Sequence, residues 1–207
     1  ANAERPSVVP SLLYVEEGQA PSLHYGQAIH TLHLDSQRNN RLFRNFKRGI
    51  VASPAPEARK IDGVDWYDSD AGRHFVKHLI HSLPYKDEDI DQLVLTAPVA
   101  SFEGYLAWLN NVIDEISLDK IRVVDESTAA ALGYAVTKPG AIVLVFDFGG
   151  GTLDLSLVQL PEHREKTGGF LSRLRTGGSA NQHSARVIAK AGRIIGGSDI
   201  DQWLVAE

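Results

Sequence analysis

Residues 145–156 read VFDFGGGTLDLS, with three consecutive glycines between two apolar runs and an acid on each side. A hairpin can use glycine merely to reach positive φ, and that ordinary reading stays open. A two-residue turn needs only one or two glycines, however, and here Gly149, Gly150 and Gly151 are followed by Thr152. Backbone N–H groups with no Cβ beside them can converge on an anion, and the threonine hydroxyl adds a donor. Asp147 stands at the mouth of the turn. An acid next to a phosphate repels it unless a cation lies between them, and a hydrated Mg2+ held by Asp147 would be that cation. The turn and the acid therefore point to a phosphate and a metal together. Asp154 alternates with Leu153 and Leu155, so its side chain leaves the strand on the opposite face from theirs, toward a cleft or toward solvent.

Other groups invite weaker readings. Glu126, in VVDESTAAALGYAV, is a first-turn acid that suits a helix dipole, which leaves it available for chemistry as well. Lys47 belongs to the patch Arg41, Arg44, Lys47, Arg48, whose spacing alone reads as a solvated helix face. His74, His78 and His81 fall on one helical face and could hold Zn2+ or Ni2+. No acid or cysteine completes that set and Lys77 lies beside it, so a solvated face is the better reading. The pair His30 and His33 carries still less. Residues 161–184 are polar, glycine-rich and locally basic, with His163, Arg164, Lys166, Arg173, Arg175 and His183. Their composition reads as a disordered loop, or else as a dock for an acidic partner. The chain has no P-loop, no Rossmann glycine fingerprint, no nucleophile elbow and no His-Glu-x-x-His helix.

The elements that must position these groups follow from periodicity. Residues 7–15 read as an edge or entry strand, 25–33 and 40–49 as short helices, and 53–63 as a proline-rich loop. Residues 69–83 read as a helix with Phe75, Leu79 and Leu83 on one face and Ser69 or Asp70 as its cap. Then 91–98 (strand), 101–116 (helix), 121–125 (strand) and 126–136 (helix, capped by Ser127 or Thr128) alternate as a parallel α/β layer does. Past a turn at 138–140, residues 141–147 and 152–160 read as a hairpin, 185–192 as a third strand and 198–207 as the start of a helix.

With 207 residues the chain fits one large domain or two small ones, and 43% apolar residues suffice for a core. A net charge of −5 gives no general sign of nucleic-acid binding. No apolar run reaches the roughly 20 residues of a membrane span. The absence of cysteine rules out disulfides and fits a cytoplasmic protein.

Six segments in order resemble the DnaK-type, seventy-kilodalton heat-shock chaperone family of the actin and sugar-kinase ATPase superfamily. They are RPSVVPSLLYV, NFKRGIV, LVLTAPVASF, VVDESTAAALGYAV, VFDFGGGTLDLS and GRIIGGSDIDQWLV. The resemblance implies an α/β, actin-like (ribonuclease H-like) fold, present in part. Residues 1–138 would form a first lobe, with a peripheral subdomain at about 5–88 and a core at 89–138. Residues 139–207 would begin a second lobe. It implies ATP or ADP with Mg2+ as ligands. Gly149, Gly150, Gly151 and Thr152 would cradle the β- and γ-phosphates, and Asp147 would orient the metal or the attacking water. Glu126 would bind the metal through water, Lys47 would reach the γ-phosphate, and Gly196 and Gly197 would lie near the nucleotide. Co-chaperones and unfolded polypeptide would be engaged through regions outside this chain, with no nucleic-acid or membrane partner.

Two departures bear on coupling to a partner domain. Ser127 stands where the family has proline, and Val99, Ala100 and Ser101 where it has Ala-Tyr-Phe. The family's opening Asp-x-Gly-Thr loop and its closing adenosine motif have no counterpart here. The expectation is a fragment of an ATPase domain that turns over ATP poorly by itself. A diverged, weakly catalytic or non-catalytic binding module and another branch of the superfamily are the alternatives; ESTAAALGYA and GGSDID favour the chaperone branch over the latter.

Overall fold

The computed structural model describes residues 9–85, 90, 92–113, 121–134, 138–160 and 185–206. The chain divides into two compact units, Ala1–Asp91 with Ala107–Leu118, and Gln92–Leu106 with Asp119–Glu207. Residues 161–184 lie outside the described residues, so the loop and docking readings of that segment go unaddressed.

The first unit is built on an aromatic core. Strand β1 (Leu13–Glu17) lies between β2 (Ser22–Tyr25) and β3 (Leu42–Phe43) in an antiparallel sheet. It is thus a central strand rather than the expected edge, because Pro10 falls before it and every residue within it can donate to the ladder. Leu13, Val15, Phe43, Phe46, Ile61, Trp66, Ala71 and Phe75 pack together. Helix α1 (Gln27–Thr31) stands within the expected short helix, followed by a 3₁₀ turn at Leu34–Ser36. The helix expected at 40–49 is half strand: β3 pairs with β1, Asn45 takes a left-handed φ of 55°, and only Phe46–Ile50 coil into α2. Pairing with β1 outweighs the weak helical signal of Leu42 and Phe43.

The expected loop at 53–63 ends in a hairpin, β4 (Arg59–Ile61) and β5 (Val64–Trp66). Its turn is Asp62-Gly63, with φ of 51° and 86°, the Asp-Gly pair that two-residue hairpins favour. Helix α3 (Asp68–His81) begins one residue earlier than expected, with Tyr67 at the cap position. Asp70 reaches back to accept the Tyr67 N–H at 3.0 Å, as a third-position acid does. Two of the three histidines of α3 make ring contacts, and His81 is exposed. The His78 ring stacks on Tyr25 at 3.9 Å and His74 lies 5.4 Å from Trp66. Among the described residues no three potential ligands gather for a metal.

The basic patch is also dispersed. Arg41 forks onto Asp62 (2.6 and 3.0 Å), whose Oδ2 accepts the Gly18 N–H as well, and Arg44 donates to the Asp35 carbonyl. The Arg41 guanidinium, and then the Gly18 amide, hold the Asp62 carboxyl below its usual range. A depressed folded pKa stabilises above the unfolded value and ceases to do so as pH falls through the folded one. Asp62→Asn should therefore lower the melting temperature at neutral pH and flatten part of the acid-side loss below about pH 4. Thermal melts across pH check this; parallel wild-type and variant curves would refute it.

The second unit is mixed α/β. Strands β6 (Leu93–Ala97) and β7 (Ile121–Asp125) pair in parallel, register Leu93↔Ile121 through Ala97↔Asp125. Between them the chain passes a 3₁₀ turn at Val99–Ser101 and helix α4 (Phe102–Ile113), the connection a parallel pair requires. Helix α5 (Glu126–Tyr134) follows β7 directly. Its cap is Asp125, not Ser127 or Thr128: Oδ1 accepts the Thr128 N–H and Oδ2 its hydroxyl, both at 2.8 Å. Capping falls to the residue just before the first helical one, whose side chain reaches an amide three positions on.

The second sheet is antiparallel, order β10–β9–β8, from β8 (Ile142–Phe148), β9 (Leu153–Gln159) and β10 (Arg186–Arg193). Helix α5 covers one face, where Ala131, Val158 and Leu160 are buried with Val143 and Val145 against them. Helix α6 (Gly197–Val205) closes the described chain. The hairpin, third strand and helix start all match the expected order. Among the described residues no helix is long and apolar enough to cross a membrane.

Candidate functional site

The glycine turn joins β8 to β9 in the register Phe148↔Leu153 and Asp147↔Asp154. It is closed by the Gly149 N–H donating to the Thr152 carbonyl at 2.9 Å. A second segment grips it from outside. The Gly197 N–H donates to the Gly149 carbonyl (3.0 Å) and the Ser198 N–H to the Gly150 carbonyl (2.9 Å). The first amides of α6 thus hold the turn by its carbonyls. Gly196 presses closest: a Cβ there would meet Gly150 C, Gly151 N and Gly149 O at 2.5 to 2.6 Å. Packing alone requires glycine at that position.

Gly149 and Gly150 are different. Neither has a positive φ, so the hairpin reading does not account for them. A Cβ on Gly149 would find only Thr152 O at 3.8 Å, and one on Gly150 only Ser198 Oγ at 3.9 Å. The protein itself leaves that space open. Among the described residues the Gly150 and Gly151 N–H groups make no backbone hydrogen bond. A turn clasped by its carbonyls, with bare amides and no Cβ in front of them, is a cradle for an anion.

Two carboxylates stand beside the cradle. Residues directly opposite in a sheet share a face, so Asp147 and Asp154 project together. Asp147 is exposed, whereas Asp154 is 1% exposed. Asp154 Oδ1 accepts the Ala100 N–H at 3.0 Å, and Gly192 lies opposite it on β10. Oδ2 is buried with no hydrogen-bond partner among the described residues. The side chain thus faces neither open cleft nor solvent; it is enclosed by the 3₁₀ turn and β10. Like charges directly opposite repel, and an unpartnered buried carboxylate oxygen costs more. A cation would offset both. The sequence signal for this pair is symmetry, since Asp147 and Asp154 lie equally far from the centre of the turn.

Glu126 opens α5, whose last turn leads through residues 138–140 into the start of β8. The helix packs on β8 and β9, so its first turn points toward the Asp147–Asp154 end of the hairpin. Burial, and then the nearby Glu126 charge, push the phenol of buried Tyr105 on α4 well above its usual range. Sequence reasoning missed Tyr105, and it left Asp154 between a cleft and solvent without giving it a role in the site. The second unit thus brings together Asp147, Gly149, Gly150, Gly151, Thr152, Gly196 and Gly197, and Glu126 opens the helix that packs on the same hairpin. Lys47, exposed on α2, belongs to the first unit.

Residues 85–170 match a family model described as Hsp70 protein. The matched stretch holds Glu126, Asp147 and the glycine turn, but not Lys47, Gly196 or Gly197. The chain is also 29% identical over 155 residues to a protein named Chaperone protein DnaK from Deinococcus proteolyticus, an alignment covering 72% of this chain. It spans about a fifth (21%) of that relative's length. The two matches, on a mixed α/β chain with this turn, make this stretch of the chain similar to part of an Hsp70 protein.

Proposed function

We propose that this chain is the phosphate-gripping portion of a nucleotide-binding domain with the actin-like ATPase fold, taking ATP or ADP with Mg2+. Residues 1–138 would serve as the first lobe and 139–207 as the start of the second. The observation that carries this reading is the pair Gly149 and Gly150, which neither φ nor packing requires to be glycine. The space in front of them would admit the terminal phosphates, to which the Gly150 and Gly151 amides and the Thr152 hydroxyl would donate. Asp147 and Glu126 would hold the metal through water, and Asp154, across the hairpin from Asp147, would add negative charge. Mg2+ would neutralise phosphate charge and orient the phosphate oxygens. By the resemblance, Lys47 would stabilise negative charge growing on the transferring group, and Asp147 would orient the metal or the attacking water. Gly196 and Gly197 keep the turn in shape. In the longer protein the resulting switch would act on client polypeptide with co-chaperones, in the cytoplasm.

The test is Mg2+-dependent ATP binding and turnover by the full-length product of the gene. Lys47→Ala should slow turnover about 100-fold, the scale of losing one charge-stabilising group, while the fold and much of the binding persist. A wild type that neither binds ATP nor responds to Lys47→Ala would sink the proposal.

A further inference from the structure

Lys190 stands on β10 opposite Ser156 of β9, so its side chain lies on the sheet face that carries Asp154. Its Nζ is 3.9 Å from Asp125 Oδ2 and 5.3 Å from the centre of the Phe102 ring. The Asp125 side chain is only 9% exposed, while that of Lys190 is 45% exposed. A carboxylate so enclosed loses most of its hydration, and its two bonds to Thr128 return only part of it. The ammonium supplies opposite charge where Asp125 needs it, while the Phe102 face below adds a cation–π contact.

The position of this pair in the chain matters more than its strength. Asp125 caps α5, and the next residue is Glu126. Beyond Lys190, β10 runs into Gly196, Gly197 and Ser198, which grip the glycine turn. Lys190 therefore ties the strand leading to the phosphate cradle to the helix start bearing the proposed water-mediated metal ligand. We propose that Lys190 is a positioning residue: through Asp125 it sets Glu126 relative to the glycine turn, and so tunes the affinity of the site for Mg2+ with nucleotide. This inference rests on the nucleotide reading above.

The experiment titrates Mg2+ at fixed ADP in the full-length gene product, beside thermal melts. Lys190→Met keeps the stem over Phe102 and removes the charge. It should raise the Mg2+ concentration for half-maximal nucleotide binding about threefold to tenfold, at or below the usual range for groups that support a metal ligand indirectly. Lys190→Arg should restore it to within about twofold, since the charge is kept. Asp125→Asn retains an acceptor for the Thr128 N–H and should give a similar shift, with the double variant no worse than either single one. An unchanged Mg2+ midpoint in Lys190→Met, with or without a lower melting temperature, overturns the inference alone. So do fully additive shifts. A wild type with no Mg2+-dependent nucleotide binding overturns the nucleotide reading and this inference with it.

Discussion

Asp147→Asn should reduce ATP turnover about 1000-fold, the upper end of the cost of losing one electrostatic group in a reaction site, and should at the same time raise the melting temperature. The opposed signs come from one geometric fact. Asp147 faces Asp154 directly across the hairpin, and like charges in that relation cost up to about 1 kcal/mol. Asparagine keeps the shape and removes the repulsion, so the ligand-free fold gains. The same change removes the charge that would draw a cation to the cradle. Asp154 cannot replace it, since its Oδ1 is committed to the Ala100 amide and its Oδ2 is enclosed. Turnover assays and ligand-free melts on one preparation check both halves. A variant less stable than wild type and still active would show that the carboxylate is structural.

Gly196→Ala carries the largest expected stability effect. Its Cβ would stand 2.5 to 2.6 Å from three backbone atoms of the glycine turn. Backbone cannot rotate away as a side-chain end can, so either α6 or the turn must shift. The loss should be about 1 to 3 kcal/mol, the usual cost of overpacking. Gly150→Ala is the control. Its Cβ meets nothing nearer than Ser198 Oγ at 3.9 Å, so stability should hold within about 0.5 kcal/mol. Nucleotide affinity should fall instead, because the methyl group occupies the space before the amides. Denaturant unfolding and ADP titration of both variants separate the roles. Equal destabilisation by the two would mean that packing alone explains the glycine run.

Much of this architecture is legible in residue order, since each signal is local. The hairpin of β8 and β9 follows from two alternating apolar runs about a glycine turn. The parallel pair β6–β7 follows from short apolar strands separated by an amphipathic helix, and α5 from an alanine-rich run. The errors share a physical cause. Residues 40–49 contain helix formers, yet Leu42 and Phe43 become a strand because β1 offers them hydrogen bonds and a core to enter. Asp62-Gly63 specifies a turn, but the strands beside it are three residues each, too short for a periodicity of their own. The expected caps lie two or three positions from the observed ones because several polar residues compete and only the final dihedrals decide among them.

By itself the sequence determined which groups could meet a phosphate and a metal: the glycine run, Thr152 and the acid before it. It also specified the order of elements around them. Tertiary structure alone decided which glycines face open space and which face backbone, separating Gly149 and Gly150 from Gly196. It alone buried Asp154 against the Ala100 amide and brought Lys190 to Asp125, pairs distant in sequence. The reason is that local propensity acts over a few residues, whereas burial, register and the approach of backbone to backbone depend on which distant strand or helix arrives alongside.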